Sequence, residues 1–319
     1  MLVDLHLHTC LSDGRVTLDD VGEIISEGDV IAITDHNCVE GWDSIGTLAI
    51  DRGFVNIRGV ELRLRGRPDY LLYFPDGCEV AEMETALDSL RRSDHELSRV
   101  CYEEDFAGTT FDATFSGVKE RLGSFCTFCD SRLLAEMVSH DRNSTESPAD
   151  LIKSIRIAKG RRIDSLTGDE KPSRQGSFVC LIESEEPSWA FELARRNKGE
   201  IVLAHPLREV RRQGARGVVN ETPWKTLERI AEEFAAQGGH CIELCLHDEV
   251  FLHELGYDRL EQGTRDVIAC ARQMGFNVVC GSDLHGTVSV ARRNRASMKQ
   301  LRRCGEKLFP EWLKAYFPV

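Results

Sequence analysis

Six short apolar runs in this chain each carry, at or near their end, a side chain able to ligate a metal ion. They are Val3-Asp4-Leu5-His6-Leu7-His8, Val30-Ile31-Ala32-Ile33-Thr34-Asp35-His36, Val55-Asn56-Ile57-Arg58-Gly59-Val60-Glu61, Ile201-Val202-Leu203-Ala204-His205-Pro206, His240-Cys241-Ile242-Glu243 and Val278-Val279-Cys280-Gly281-Ser282-Asp283-Leu284-His285. Continuous apolar runs of this length suit strands buried on both faces. Polar residues gathered at their C-terminal ends are how a β/α barrel builds a site. The pattern predicts a hydrolase with several metal ions.

A chain of 319 residues can bury one large α/β core, or a barrel carrying an inserted subdomain. Its net charge of −13 argues against a generic nucleic-acid coat, although a local basic patch could still recruit phosphate. No apolar run is long enough to span a membrane. Met1-Leu2-Val3 enters a strand with no basic and hydrophobic leader before it, so a cytoplasmic location is expected. The 12 cysteines fit that reading as small apolar residues, because several lie inside strand or helix patterns. Cys126-Thr127-Phe128-Cys129 is a lone CxxC with no second pair, so zinc or redox chemistry is not assigned to it.

From residue 1 to about 75 the rhythm is strand, helix, strand, helix, strand, strand. Thr17 followed by Asp19 and Asp20 caps the first helix, and residues 41–52 form the second. From about 187 helices and strands alternate again, with strands at 200–204, 240–245 and 277–281. Such alternation predicts a parallel sheet with right-handed crossovers. Residues 79–185 break the rhythm and read as a helical insertion on the rim. Helices are expected near 79–100, 132–140 and 148–158, and residues 160–175 read as a mobile polar loop whose neighbours Lys159, Arg161 and Arg162 could fold over the mouth. The predicted organisation is therefore a barrel from 1–78 and 186–319 around an insertion at 79–185.

His6 and His8 stand two apart on one strand, so both side chains and that of Asp4 share a face. Two imidazoles so placed can bind one ion. Asp13 follows within a turn of the strand end, where Gly14 permits a tight reversal and the carboxylate can reach back.

The ordered motifs Asp4-Leu5-His6-Leu7-His8-Thr9 with Ser12-Asp13-Gly14, Ile33-Thr34-Asp35-His36-Asn37, Gly59-Val60-Glu61, Ala204-His205-Pro206 and Gly281-Ser282-Asp283-Leu284-His285 closely resemble the PHP (polymerase and histidinol phosphatase) superfamily. The match covers roughly 1–75 and 187–290, and the layout looks most like stand-alone members acting on nucleotides and short oligonucleotides. The resemblance implies an α/β fold, a distorted (β/α)7 barrel with a helical insertion, holding two or three divalent ions (Mn2+, Zn2+ or Fe2+). It implies His6, His8, Glu61 and Asp283 around one ion, Asp13, His36 and His285 around a second, Glu61 bridging, and His205 with Glu61 at a third. Asp13, His36, His205 and Asp283 are the catalytic candidates. Asp35 is expected to orient a ligand histidine, and Glu243 is either such a partner or a hydrogen-bonded core carboxylate.

One position departs from the family. Where a His normally precedes an apolar run, Asp69-Tyr70-Leu71-Leu72-Tyr73 puts Tyr70 in the expected place. Asp69 would replace it only through a one-residue register shift, which points to the opposite face, and His247 is a second substitute. Two ions are the default expectation. His95, His140, His240 and His253 carry no motif and read as surface or packing residues.

Arginines follow three of the ligand-bearing runs: Arg63, Arg65 and Arg67, then Arg208, Arg211, Arg212 and Arg216, then Arg292, Arg293 and Arg295. At the mouth of an acidic protein they would focus positive potential on the metals. Arg208, Arg211, Arg212 and Arg216, read as a loop, are the candidate substrate-phosphate clamp. The expected reaction is hydrolysis of a phosphate ester of a nucleotide or short oligonucleotide by a metal-activated water, since no Ser or Cys nucleophile motif is present. The alternatives are a nuclease acting on longer DNA or RNA and a catalytically inactive interaction module. No membrane partner is expected, and no protein partner is predicted.

Overall fold

The computed structural model describes residues 1–64, 67–74, 81–106, 110–122, 128–129, 131–142, 147–167, 188–215, 222–246 and 260–317. Arg65, Arg216, His247, His253 and Cys126 lie outside them. The fold is mixed α/β. The first sheet holds β1 (Val3–Leu7), β2 (Val30–Ile33) and β3 (Val55–Asn56) in parallel. The second runs in the order β4 (Arg58–Leu62), β5 (Tyr70–Phe74), β6 (Glu200–Leu203), β7 (Cys241–Cys245) and β8 (Asn277–Gly281). The run expected over 55–61 is thus two strands broken at Ile57.

Two seams join the sheets. The His8 amide donates to Leu284 O at 3.2 Å and the Asp283 amide to His6 O at 2.9 Å, which ties β1 to β8. The Asn37 amide donates to Glu61 O at 2.9 Å and the Glu61 amide to Thr34 O at 3.3 Å, which ties β2 to β4. Both seams lie at ligand-bearing strand ends. β1, β2, β5, β7 and most of β8 are buried on both faces, as continuous apolar runs require.

The expected all-parallel pairing fails at one strand. β5 is antiparallel to both β4 and β6. Only residues 63–69 connect Leu62 to Tyr70. That is too short for the crossover of a dozen or more residues that a parallel return needs, so the chain turns straight back. As a consequence β5 begins, rather than ends, at the edge where the other strands end.

Local sequence explains the flanking helices. α1 (Leu18–Ile24) starts on a reciprocal capping box, with the Asp20 amide donating to Thr17 Oγ1 at 3.1 Å and the Thr17 amide to Asp20 Oδ2 at 2.8 Å. α2 (Trp42–Arg52) stops at Gly53, which takes the left-handed conformation at φ 71. The insertion contains α3 (Ala81–Val100), which runs into a π-helical turn at Cys101–Asp105, then α4 (Phe111–Leu122), α5 (Ser131–Arg142) and α6 (Pro148–Thr167). It has a core of its own, built on Tyr102, Phe111, Phe115, Leu134, Met137 and Ile155. α4 carries no clear helical signal in the sequence, because Ser116 and Gly117 interrupt it.

The mobile loop expected at 160–175 is instead helix up to Thr167. Of the three basic residues read there, Arg161 is exposed, while Lys159 and Arg162 are paired inside the insertion. Lys159 is buried and donates to Asp94 Oδ1 at 3.0 Å, while Arg162 holds Asp105 and Glu104 at 2.6 and 2.7 Å. Lys159 and Arg162 therefore serve packing and not the mouth. The remaining helices are α7 (Ser188–Arg196), α8 (Pro206–Ala215), α9 (Pro223–Ala236), α10 (Leu260–Met274), α11 (Val288–Gly305) and α12 (Glu311–Lys314). α8 occupies the stretch read as an arginine loop. Pro206 sits at its first position and Leu207 and Val210 bury one face, so Arg208, Arg211 and Arg212 ride on a rigid element. Among the described residues no helix is long and apolar enough to cross a membrane.

Candidate metal centre

Among the described residues, three groups of side chains at this edge could each hold an ion: His6, His8, Glu61 and Asp283; His8, Asp13, His36 and His285; and Glu61, Asp69 and His205. In the first, His6 Nε2 lies 3.1 Å from His8 Nε2, 3.4 Å from Glu61 Oε2 and 3.5 Å from Asp283 Oδ1. His8 Nε2 lies 3.2 Å from Glu61 Oε2 and 3.3 Å from Asp283 Oδ1. Four donors on a tetrahedron with bonds of about 2.1 Å stand about 3.4 Å apart, so these spacings suit one ion. Glu61 Oε2 and Asp283 Oδ1 are fully buried and accept no hydrogen bond. A buried carboxylate oxygen left that way is costly unless a cation completes it. The donor set fits a divalent ion on both counts.

The second group adjoins the first through His8. Asp13 Oδ1 stands 2.9 Å from His285 Nε2, 3.5 Å from His36 Nε2 and 3.9 Å from His8 Nδ1. His36 Nδ1 approaches Glu61 Oε2 at 2.6 Å. Mixed His and carboxylate donors again suit a transition metal. The structure therefore brings together all eight residues proposed as ligands, with His205 3.0 Å from Glu61 Oε1 on the far side of that carboxylate.

Supporting residues set these directions. Glu243, buried in β7, accepts from His6 Nδ1 at 2.8 Å and from the His205 amide at 2.6 Å. The first contact fixes the His6 tautomer that leaves Nε2 free to ligate. Asp35 acts differently from the expectation. It accepts from the Thr9 amide at 2.8 Å, Thr9 Oγ1 at 2.6 Å and Ser12 Oγ at 2.5 Å, so it fastens the loop that carries Asp13 rather than an imidazole. Gly14 is required in that loop, because a Cβ there would lie 2.3 Å from His8 O. Asp4 shares the strand face of His6 but stays out of all three groups. It accepts from the Ser282 amide at 2.8 Å, and burial lifts its carboxyl to about 6 against the pull of that contact.

Backbone strain gathers here too. Asn37, His205 and Asp283 adopt positive φ of 48, 25 and 51, each beside or within a donor group. Non-glycine residues in that region cost on the order of 1–3 kcal/mol each and persist where the surroundings hold them.

Asp69 corrects the sequence reading. Because β5 starts at this edge, the residue just before it faces the site, and Asp69 Oδ2 lies 3.7 Å from His205 Nε2. Tyr70 alternates to the other face and packs on Phe191 and Phe234 at ring distances of 5.0 and 5.8 Å. No register shift is involved. The strand runs the other way.

No family model matches the chain, and no curated protein does. Solved structures match in fold. One is an amidohydrolase from Chromobacterium violaceum with bound sulfate and no metal, at TM-score 0.56 and 20% identity, covering 90% of this chain and 88% of that one. Another, from Bifidobacterium adolescentis and described as a metal-dependent phosphoesterase, matches at TM-score 0.58 and 18% identity, covering 93% of this chain and 96% of that one. At such identities the likeness is one of architecture, a fold shared with metal-dependent hydrolases.

The electrostatics of the centre are those of imidazoles and carboxylates forced together. Burial, and then Arg63, act to depress His36, but Glu61 and Asp13 outweigh them and lift it to about 9. Burial opposes ionisation of Asp283, yet His285 and His6 hold it well below the usual carboxylate range. His8 is lowered, by burial first and then by His285 and His36. A cluster that binds protons this tightly in some places and repels them in others is arranged for cations.

The arginines divide. Arg208, 35% exposed, sends one guanidinium nitrogen to within 3.4 Å of both Asp283 Oδ2 and His205 Nε2, so it edges the centre from the solvent side. Arg212 pairs with Glu209 at 3.0 Å, and Arg211 is exposed on α8. Arg292 and Arg295 pair with Glu23 and Asp29 at 3.4 and 2.5 Å. Asp29 precedes β2, so Arg295 lies at the end opposite the donors. Arg63, expected as a rim cation, is buried and holds Asp69 in a two-pronged contact. His95 accepts the Cys129 amide at 2.9 Å within the insertion, away from the centre.

Proposed function

We propose that this chain is a metal-dependent phosphoesterase of the PHP superfamily that hydrolyses phosphate esters of nucleotides or short oligonucleotides. One observation carries the reading: seven donors from four strand ends form two groups that share His8, and two of their buried oxygens accept no hydrogen bond. Divalent ions held there, Mn2+, Zn2+ or Fe2+ by donor type, would lower the pKa of an attacking water and neutralise charge growing on the phosphate oxygens.

The chain's own residues supply the rest. Glu243 orients His6, and Asp35 fastens the loop that delivers Asp13. Arg208 is positioned to donate to a phosphate oxygen arriving from solvent, and its place on α8 limits how far it can swing. Arg211, Arg212 and Arg216 are assigned to outer contacts with the substrate. We assign 1–78 and 186–319 to one distorted (β/α)7 barrel, supported by the two seams, and 79–185 to an insertion, supported by its separate core. The far-side pairing of Arg295 weakens a continuous basic track and so favours short substrates over long nucleic acid.

The test is a panel of phosphomonoesters, dinucleotides, short and long single strands and simple amides, each with Mn2+, Zn2+ and Mg2+, run beside His8→Ala. Metal-dependent release of phosphate or nucleotide from small esters, abolished in His8→Ala, is expected. Inertness toward every ester by a protein that demonstrably holds metal refutes the proposal. Turnover of amides alone would move the chain to amide hydrolysis.

A further inference from the structure

We infer that the guanidinium of Arg63 holds the place of a third cation, so that the centre takes two divalent ions and not three. This rests on the proposed metal-dependent reading. Glu61, Asp69 and His205 form a donor group as compact as the other two. Its chemistry, however, is already complete. Arg63 Nε donates to Asp69 Oδ1 and one terminal nitrogen to Asp69 Oδ2, both at 3.1 Å. A terminal nitrogen also lies 3.6 Å from Glu61 Oε1. Such a planar fork matches a carboxylate in both contacts at once and stays protonated at any working pH.

The contrast within Glu61 is the second observation. Its Oε2, facing the first two groups, accepts no hydrogen bond. Its Oε1, facing the third, is engaged by His205 Nε2 at 3.0 Å and approached by Arg63. One carboxylate thus turns toward the proposed ions an oxygen met only by imidazole nitrogens, His36 at 2.6 Å, His8 at 3.2 Å and His6 at 3.4 Å, and toward Arg63 an oxygen within reach of a permanent cation.

Arg63 is also anchored. Its amide donates to Asn37 Oδ1 at 2.9 Å, and Asn37 Nδ2 donates to Arg63 O at 3.1 Å. Asn37 follows His36 directly and is itself held at positive φ. The guanidinium is therefore built into the same strand-end framework as the donors. It supplies a positive charge that does not depend on metal supply. It cannot activate water as an ion would, which confines that role to the two-ion part of the centre.

Metal content decides the matter without any activity measurement. Full-length protein is stripped, saturated with Mn2+, desalted and analysed by mass spectrometry for ions per chain. Wild type is expected to hold two. Arg63→Ala is expected to hold three, and Arg63→Ala with Asp69→Asn to return to two. Asp69→Asn alone should keep both ions, because Asp69 serves the arginine. This last variant decides the case if Arg63→Ala does not fold. Three ions in wild type, no gain in folded Arg63→Ala, or loss of an ion in Asp69→Asn would each overturn the inference while leaving the phosphoesterase reading standing. A wild type that retains no ion at all overturns that reading, and this one with it.

Discussion

Replacing Glu243 by glutamine changes one oxygen to nitrogen and should damage the centre out of proportion to its size. Two donors converge on this side chain, His6 Nδ1 on Oε1 at 2.8 Å and the His205 amide on Oε2 at 2.6 Å. A carboxylate accepts both. An amide has one accepting oxygen, so in either orientation its NH2 group confronts one of the two donors. If the oxygen serves His6, the buried His205 amide is left unsatisfied, at a cost of about 1–3 kcal/mol. The contact to His6 also loses its charge assistance, which adds about 1 kcal/mol. If the oxygen serves His205, the NH2 forces His6 into the other tautomer, and Nε2 then carries a proton where a ligand lone pair is needed. Loss of such an orienting partner lowers metal affinity about 10–100-fold. The variant should therefore unfold at lower urea in the metal-free state, by about 2–4 kcal/mol, and bind Mn2+ correspondingly more weakly in a chelator competition. Wild-type stability together with wild-type affinity would refute the assignment of Glu243 as the residue that directs His6 and His205.

Other outcomes follow from the same contacts. Gly281→Ala would place a Cβ 2.3 Å from both Glu243 Oε1 and His6 Cβ, so thermal unfolding should drop sharply and metal retention should fall with it; a stable, metal-replete variant would contradict the packing. Tyr70→Ala should cost about 3–5 kcal/mol in denaturant unfolding, as a large buried aromatic does, yet leave the ion count unchanged, because its ring packs on Phe191 and Phe234 on the face away from the donors. In metal-free protein the raised His36 favours the fold fully below the ordinary histidine value of 6.5, and that contribution is lost as pH rises through about 9. Denaturant midpoints measured in chelator should fall across that window, and His36→Gln should flatten part of the decline. Arg208→Ala should raise KM more than it lowers kcat, whereas Arg295→Ala, paired with Asp29 at the opposite end, should move neither.

Much of this architecture can be read directly from the chain. Buried strands must be continuously apolar, so a His, Asp or Glu at the end of such a run stands out, and the order of those runs brings His6, His36, Glu61, His205 and Asp283 into one series. The capping signal at Thr17 works because it acts over a single helical turn. Strand direction is another matter. Nothing local in Asp69-Tyr70-Leu71 says whether it runs with or against its neighbours, and the short return from Leu62 settles it in favour of an antiparallel β5. That one reversal carries Asp69 to the edge and turns Tyr70 outward. Side-chain partnership is equally non-local. Arg63 and Arg208 look alike as basic residues after ligand strands, yet one is buried against Asp69 and the other borders solvent beside Asp283. Lys159 and Arg162, polar and basic in the sequence, are consumed by acids 57 to 65 positions away. Residue type decides what a side chain is able to bind, and only the packed fold decides which partner reaches it first, because burial makes the nearest opposite charge compulsory.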